Sequence, residues 1–294
     1  MANYIRLMRI RHYIKNLLIF LPIIFAGRLF DVNSLIKVMF GFVAFSLLAS
    51  VVYTINDICD LEYDRNHALK KTRPLASGEI SIENGTILAG ALGLVAVGLN
   101  AGWNNSFLSW LFLLMYISIN IAYSFGLKNI PLIDISIVAL GFILRVSYGG
   151  AIIDVPISSL LYLTVIAISF YLVLGKRRNE IKKVGHSARF VLKYYTAQFL
   201  GKMMNIFFGL SIVFYSFWCI VPSDNTNKSG LLILTVPLIL LICRRYSMDI
   251  EGDSYGDPAD VLLGDKVLIH LVLVYGLFLI MLIYNVKLFN MQGL

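Results

Sequence analysis

An uncharged stretch of 44 residues, from Asn84 to Leu127, constrains the fold of this chain more than any other feature of its sequence. The stretch is too long for a single membrane crossing, which takes about 20 apolar residues. Small and polar residues from Asn100 to Ser106 interrupt it near its middle, where a turn is therefore expected. The stretch predicts two membrane-spanning helices joined as a hairpin.

The composition extends this interpretation to the whole chain. Of the 294 residues, 59% are hydrophobic and only 14% are charged, and the mean hydropathy is +0.79. A soluble domain has no use for so much apolar surface, so we predict a polytopic, all-α membrane bundle that forms one domain over residues 1–294. About nine spans are expected, roughly at residues 12–29, 34–56, 83–101, 106–126, 131–150, 157–175, 200–221, 229–243 and 267–288.

The basic residues are distributed asymmetrically between the two sides of this predicted bundle. With the N-terminus in the cytoplasm, 20 of the 25 Lys and Arg residues lie on the cytoplasmic side and four lie outside. Because basic residues are retained in cytoplasmic loops, we expect an inner (cell) membrane protein whose N-terminus and active site face the cytoplasm. The net charge of +8 then belongs to one membrane face, which suits anionic lipids or substrates and argues against nucleic acid as a partner.

The most informative polar segment follows the second predicted span and extends from Asn56 to Gly78, with the sequence NDICDLEYDRNHALKKTRPLASG. On a helix, its first polar residues fall within an arc of about 100°, opposite to Glu62. The arc contains Asn56, Asp57, Asp60 and Asp64. Carboxylates three and four residues apart repel one another unless a cation lies among them, and oxygen ligands of this kind suit Mg²⁺. The alternative is a solvated helix end, whose acids pair with Arg65, Lys70, Lys71 and Arg73.

Basic side chains just downstream favour the first interpretation. Mg²⁺ usually keeps several waters and binds through one or two carboxylates together with substrate phosphates. Lys70 and Arg73 are placed to bind phosphate oxygens, and Pro74 and Gly78 mark a loop that either folds over the site or simply turns the chain. The segment predicts a site for a metal-bound diphosphate at the membrane surface.

Two later segments on the same predicted face add further charge. The first, from Gly175 to Thr196, has seven basic residues and one acid, Glu180, and is either a cradle for a second anionic group or an ordinary positive-inside loop. The second, from Arg244 to Lys266, has six acids: Asp249, Glu251, Asp253, Asp257, Asp260 and Asp265. Asp257 precedes a proline, with Asp260 three residues later, so helix capping is an alternative role for both. Two acidic groups on one face favour metal-assisted departure of a diphosphate.

Arg145 falls within the fifth predicted span. A charged side chain there is costly unless it is paired or faces a polar cavity, so we expect either a functional role or a structural ion pair. Asp134, on the same segment, is a candidate partner.

Five segments together resemble the UbiA superfamily of intramembrane prenyltransferases, and within it the branch of decaprenyl-phosphate phosphoribosyltransferases. The segments are Arg9–Asn16 (RIRHYIKN), Asn56–Pro74 (NDICDLEYDRNHALKKTRP), Ala122–Arg145 (AYSFGLKNIPLIDISIVALGFILR), Gly175–Glu180 (GKRRNE) and Asp257–Asp265 (DPADVLLGD). Only the second segment is distinctive alone, but the resemblance extends over nearly the whole chain. It implies a UbiA-like helical bundle.

The resemblance also implies a reaction. Members of the branch transfer 5-phosphoribosyl from phosphoribosyl diphosphate (PRPP) to a polyprenyl phosphate with the help of Mg²⁺. The reaction releases diphosphate and forms polyprenyl-phosphoryl-5-phosphoribose for cell-envelope glycan synthesis. A phosphate oxygen of the lipid would attack C1 of the ribose, and because that phosphate is already ionised at neutral pH, no general base is needed. A homo-oligomer is compatible with this function.

Individual roles follow from the same resemblance. The catalytic residues would be Asp60, Asp64, Asn56, Lys70 and Arg73. Of these, the two aspartates would hold Mg²⁺ and the two basic residues would bind the donor diphosphate. Lys176 and Arg177 would recognise the ribose 5-phosphate or the lipid phosphate. The remaining implied substrate-binding residues are Lys15, which completes the anion pocket, Asp260 and Asp265, which form an opposing acidic site, and Asp57, Glu180 and Arg145.

Two other functions are compatible with these features. An aromatic prenyltransferase of the same superfamily would take its diphosphate on the isoprenoid, but the basic segment Gly175–Thr196 favours a substrate with an additional phosphate. A non-enzymatic lipid transporter with intramembrane polar residues would release no diphosphate.

Overall fold

The structure, a computed structural model, describes residues 2–66, 70–186, 189–221, 230–252 and 256–291, with side chains described up to Tyr284. All regular structure within these residues is helical, which confirms the predicted fold class. The α-helices are α1 (Ala2–Met8), α2 (Leu21–Phe25), α3 (Val32–Cys59), α4 (Leu61–Asn66), α5 (Ile82–Trp103), α6 (Phe107–Ser124), α7 (Ile133–Ile152), α8 (Ser159–Val184), α9 (Ala197–Ile220), α10 (Val236–Glu251), α11 (Pro258–Gly264) and α12 (Lys266–Met291). The 3₁₀ helices are Ile10–Phe20, Lys70–Thr72, Leu127–Asn129, Phe190–Tyr194 and Gly230–Thr235.

Eight helical segments of the described chain are long and apolar enough to cross a membrane. They are Val32–Cys59, Ile82–Trp103, Phe107–Ser124, Ile133–Ile152, Ser159–Val184, Ala197–Ile220, Gly230–Glu251 and Lys266–Tyr284. Each coincides with one of the predicted spans from the second to the ninth. By length and hydropathy, the chain is a multi-pass membrane protein.

The first predicted span, residues 12–29, has a different backbone. It contains the 3₁₀ helix Ile10–Phe20 followed by α2, where one continuous α-helix was expected. Arg9 has a left-handed backbone conformation (φ 54°), which separates this 3₁₀ helix from α1. Pro22, which has no N–H to donate, lies where the 3₁₀ pattern gives way to α2. Hydropathy detects an apolar segment but does not distinguish these two kinds of helix.

Polar caps define where the membrane helices begin. The Ser106 side chain accepts a hydrogen bond from the backbone N–H of Ser109 at the start of α6 (3.1 Å). Asp31, Ser81, Ser158, Thr196 and Asp257 cap α3, α5, α8, α9 and α11 in the same way. Since α5 ends at Trp103 and α6 begins at Phe107, the predicted helical hairpin is confirmed.

The chain divides into two compact units. The first contains Met1–Leu21, Asp31–Ile137 and Leu144–Val155, and the second contains Pro22–Phe30, Val138–Ile143 and Pro156–Leu294. In the first unit, α3 packs against α1, the first 3₁₀ helix, α5 and α6. In the second unit, α8 packs along α9, and α10 packs against α12.

A small apolar cluster in the first unit anchors the loop that follows α4. Leu7, Leu75 and Ile80 are almost completely buried, and Ile58 and Leu61 pack against them. Each of these residues except Ile80 is within a few positions of a charged residue of the site described below. Burial of the apolar side chains therefore also positions the charged ones.

Gly149→Ala is expected to destabilise the first unit. A Cβ at this position of α7 would lie 2.2 Å from the carbonyl oxygen of Ile19, and rotation of a side chain cannot relieve a contact with backbone. We expect a loss of about 1–3 kcal/mol, measured as a lower unfolding temperature of the detergent-purified protein.

The control for this experiment is Gly90→Ala in α5, where a Cβ would meet nothing within 4 Å. This substitution should be neutral or slightly stabilising, because alanine favours helix more than glycine does. Equal unfolding temperatures for the two variants would contradict the close approach of the first 3₁₀ helix to α7.

Candidate active site

The acidic segment Asn56–Gly78 begins inside α3 and continues into α4. Although α3 ends at Cys59, the N–H of Asp60 donates to the carbonyl oxygen of Asn56 (2.9 Å), and the N–H of Asp64 donates to that of Asp60 (2.8 Å). Helical spacing is therefore kept across the boundary between the two helices. The carboxylates at positions 57, 60 and 64 consequently lie on successive turns.

Arg73 joins two of these carboxylates. Its Nη1 lies 3.0 Å from Asp57 Oδ1 and 2.5 Å from Asp64 Oδ2. Asp57 also pairs with Arg9, the residue with the left-handed backbone. The two aspartate side chains are only 3% and 1% exposed, whereas 27% of the Arg73 side chain is exposed. Buried carboxylates need such partners, because a charge removed from water without compensation is costly.

Asp60 carries the third carboxylate and has a basic partner of its own. It pairs with Lys128 of the 3₁₀ helix Leu127–Asn129, and its second oxygen accepts a hydrogen bond from Asn56 Nδ2 (3.2 Å). Ser124 donates in turn to Asn56 Oδ1 (3.2 Å). Asn56 thus connects Asp60 to the end of α6 and orients its carboxylate.

One oxygen of the acidic cluster, Asp64 Oδ1, is buried without a hydrogen-bond partner in the described part of the chain. Lys70 Nζ lies 3.9 Å from it, which is an ionic contact too long for a hydrogen bond. A buried carboxylate oxygen with unused acceptor capacity, beside a second carboxylate held by the same guanidinium, suits a hard divalent cation. The donor set of this site therefore fits Mg²⁺.

The geometry supports part of each interpretation of the acidic segment. Lys70 and Arg73 lie beside the acidic stripe, but they contact its carboxylates, as the alternative interpretation proposed. The other two basic residues of that alternative, Arg65 and Lys71, are exposed. The carboxylates of the segment are thus paired with basic side chains, and both kinds of side chain are arranged as a site for a metal and a diphosphate requires.

Arg9 and Lys128 were not assigned to the site from the sequence. They reach Asp57 and Asp60 from positions 48 and 68 residues away in the chain. The available signal was that both lie in segments of the family resemblance, Arg9–Asn16 and Ala122–Arg145.

Arg145 is buried in α7 and holds the first 3₁₀ helix. Its Nε donates to Asn16 Oδ1 (2.7 Å), and its Nη2 donates to the hydroxyl of Tyr116 (3.3 Å). The guanidinium also lies 5.1 Å from the centre of the Tyr116 ring. Asp134 is fully buried in the first turn of α7, and Lys15 is half-buried in the 3₁₀ helix. These contacts place Arg145 in the framework of the first unit.

The basic segment at the end of α8 lies in the second unit, where acids neutralise much of its charge. Arg177 is buried, with 2% of its side chain exposed, and donates to Glu180 (2.8 Å), which Arg189 also contacts (3.1 Å). Lys176 pairs with Asp257 (2.7 Å) but keeps 26% of its side chain exposed. Arg178 and Lys182 pair with Glu251. This pairing leaves Lys176 as the more accessible of the two predicted phosphate-binding residues.

The acids between α10 and α12 have structural partners as well. Asp257 accepts a hydrogen bond from the N–H of Ala259 (3.0 Å) at the start of α11, so its predicted capping role is confirmed. Asp260 is exposed in the first turn of the same helix. Asp253 lies outside the described residues.

Asp265 is held at the start of α12. It pairs with Arg245 and accepts a hydrogen bond from the N–H of Val267 (2.8 Å). These hydrogen bonds, mainly that from Arg245, lower the pKa of the Asp265 carboxyl to about 2. Asp249 lies 3.6 Å from the same arginine. Asp265 is therefore ionised throughout the physiological range.

Comparison with known proteins identifies the family of this chain. The chain matches the UbiA prenyltransferase family over residues 17–256. The decaprenyl-phosphate phosphoribosyltransferase of Mycolicibacterium smegmatis is 32% identical over 282 residues, which cover 91% of this chain and 88% of that protein. The protein of the same name from Corynebacterium glutamicum is 30% identical over 292 residues, which cover 97% of this chain and 88% of that protein.

A solved structure shares the fold of this chain. The structure of a UbiA homolog from Archaeoglobus fulgidus, bound to GPP and Mg²⁺, is similar with a TM-score of 0.70 at 18% identity. The similarity covers 95% of this chain and 99% of that one. The chain is an integral membrane enzyme that belongs to the UbiA prenyltransferase family.

Proposed function

We propose that this enzyme transfers 5-phosphoribosyl from PRPP to a polyprenyl phosphate of the decaprenyl type, in a reaction that requires Mg²⁺ and releases diphosphate. The choice of donor and acceptor is supported by the two relatives, both decaprenyl-phosphate phosphoribosyltransferases, that align with most of the chain. Departure of a diphosphate is supported by one feature of the site: two buried aspartates, Asp57 and Asp64, joined by the partly exposed Arg73.

Arg73 has the properties of a group that exchanges one anionic partner for another. A guanidinium forms paired hydrogen bonds with phosphate as readily as with carboxylate. When Arg73 turns away, Asp57 keeps its contact with Arg9, and Asp64 keeps Lys70 nearby. We therefore expect Arg73 to turn towards the donor diphosphate when Asp64 holds the metal. Lys128 would make the same exchange at Asp60.

The residues of the first unit would then stabilise the leaving group. Asp60 and Asp64 would hold the Mg²⁺, whose charge stabilises the diphosphate as it departs. Arg73, Lys70 and Lys128 provide fixed positive charge where negative charge develops on the leaving group. Asn56 keeps the Asp60 carboxylate in orientation through its hydrogen bond to Oδ2.

The acceptor requires alignment and no general base, because a phosphate monoester is ionised at neutral pH. We assign recognition of the ribose 5-phosphate or the lipid phosphate to Lys176, whose side chain is partly exposed. The ion pair between the buried Arg177 and Glu180 would position the end of α8 that carries this lysine. Asp260 is proposed as the accessible member of the second acidic group, because its side chain is exposed.

We also propose that the N-terminus and the active site face the cytoplasm. The excess of basic residues on one side of the predicted bundle supports this orientation. The product, polyprenyl-phosphoryl-5-phosphoribose, would serve cell-envelope glycan synthesis.

Asp64→Asn is expected to lower the rate of phosphoribosyl transfer by at least about 100-fold, because the amide lacks the charge that holds a divalent cation. The measurement is transfer of label from PRPP to the lipid phosphate at increasing Mg²⁺ concentration. Glu62→Gln is the matched control, because it removes the same charge from an exposed position of α4 and should keep the wild-type rate. A wild-type rate for Asp64→Asn would exclude the proposed metal site.

Arg73→Gln is expected to lower the unfolding temperature in the absence of divalent metal, because Asp57 and Asp64 lose their shared partner, at a cost of about 1–3 kcal/mol. Mg²⁺ should recover more stability in this variant than in the wild-type protein, since a bound cation would replace the guanidinium. Arg65→Gln, at an exposed position of α4, should unfold like the wild type with and without Mg²⁺. A loss in Arg73→Gln that Mg²⁺ does not reduce would rule out the exchange.

The donor is tested by competition. Purified enzyme is given PRPP and geranyl diphosphate together, with decaprenyl phosphate and 4-hydroxybenzoate as acceptors, and the products are identified by mass spectrometry. We expect phosphoribosyl attached to the lipid phosphate and no prenylated 4-hydroxybenzoate. Formation of the prenylated aromatic acid alone would assign the enzyme to aromatic prenyl transfer.

A further inference from the structure

The 3₁₀ helix Phe190–Tyr194 exposes two aromatic rings with a lysine between them. Phe190 and Tyr194 are 58% and 57% exposed, and their ring centres are 6.3 Å apart. Lys193 Nζ lies 3.6 Å from the centre of the Phe190 ring and 5.0 Å from that of Tyr194. We call these three residues the aromatic–lysine surface. The proposed reaction gives none of them a role.

Neighbouring residues hold this surface firmly. Val191 and Leu192, within the same short helix, are completely buried, and Tyr195, which follows it, is 4% exposed. The ring nitrogen Nδ1 of His186 is 2.7 Å from the carbonyl oxygen of Leu192. The exposed rings are therefore displayed by a packed segment, and their exposure does not come from a loose loop.

The position of the surface in the chain places it at the edge of the membrane. The short helix lies between α8, which ends at Val184, and α9, which begins at Ala197, and both are membrane-spanning. Tyr194 precedes the first residue of α9 by only three positions. Aromatic residues at the ends of membrane spans prefer the layer of lipid headgroups, because their rings are apolar and their edges tolerate water. An exposed aromatic pair at this position is thus suited to that layer.

We propose that the aromatic–lysine surface binds the headgroups of anionic phospholipids, with Phe190 and Tyr194 in the interfacial layer and Lys193 against the lipid phosphates. A lysine beside a membrane surface is attracted by anionic lipids, and aromatic rings on a short helix can enter the boundary between headgroups and acyl chains. A protein partner fits less well, because three side chains are far short of the roughly 800 Å² per partner that a stable interface buries.

The same segment is connected to the residues proposed to bind substrate. Arg189, immediately before Phe190, lies 3.1 Å from Glu180, which Arg177 also contacts. Lipid contact at the aromatic–lysine surface would therefore restrain the chain that follows α8. The lipid contact itself does not depend on the proposed reaction.

The test places a tryptophan in the surface and measures its contact with lipid. Tyr194→Trp protein is reconstituted, without substrate, in phosphatidylcholine vesicles that contain an equal fraction of either brominated phosphatidylglycerol or brominated phosphatidylcholine. Subtraction of the wild-type signal, which comes from Trp103, Trp110 and Trp218, isolates the new residue. We expect quenching by both lipids, with brominated phosphatidylglycerol enriched about fivefold beside the reporter.

Lys193→Gln in the Tyr194→Trp protein separates the roles of charge and rings. The preference for phosphatidylglycerol should fall to near equality, while the total quenching remains. Phe107→Trp, at the exposed start of α6, is the control reporter, and its quenching should not respond to Lys193→Gln.

Three results would overturn the proposal. Quenching of Tyr194→Trp by acrylamide but by neither brominated lipid would place the rings in water. Lipid quenching that appears only when the protein is diluted in the vesicles would show that a second copy of the chain covers the surface. A phosphatidylglycerol preference that survives Lys193→Gln would remove the lysine from the binding. These readouts need no turnover, so failure of the proposed reaction would leave them unaffected.

Discussion

Two carboxylates, Asp57 and Asp64, are buried at the end of α3 and in α4 with one guanidinium between them. Removal of charges from water costs several kcal/mol per ion, so the arrangement is stable only if Arg73 is held in position. The chain achieves this by apolar packing: Leu75, two residues after Arg73, is buried against Leu7 of α1. The free energy gained by hydrophobic burial on one side of the segment thus offsets the cost of burying charge on the other side.

The same compensation prepares the site for its proposed work. Each carboxylate has a basic partner, and the basic groups keep part of their side chains exposed, 27% for Arg73 and 17% for Lys128. Groups that are preorganised by packing can change partners without a large rearrangement of the chain, and preorganised charge is what stabilises a departing diphosphate. The second unit differs, because Arg177 is buried, pairs with the less buried Glu180 and is better suited to structural support.

Several features were accessible to sequence reasoning because they depend on neighbouring residues. The hairpin of α5 and α6 follows from an uncharged stretch and the polar turn within it, and the cap at Asp257 follows from the proline after it. The backbone of residues 12–29 was not accessible in this way. Its 3₁₀ helix passes so close to α7 that a Cβ at Gly149 would lie 2.2 Å from the carbonyl oxygen of Ile19, and such an approach between residues distant in the chain leaves no local signal in the sequence.

The sequence by itself determined the positions of the membrane-spanning helices, the family of the chain and the acidic stripe at positions 57, 60 and 64. Hydropathy and helical spacing act over a few turns, so they can be read from neighbouring residues. Only the tertiary structure decided which cation neutralises each carboxylate. Arg9 and Lys128 are selected as partners from 25 basic residues by the packing of α1, α3 and α6, and the spacing of residues along the chain carries no information about that choice. The physical reason is that an ion pair forms where folding brings two charges within about 4 Å, whatever their separation in sequence.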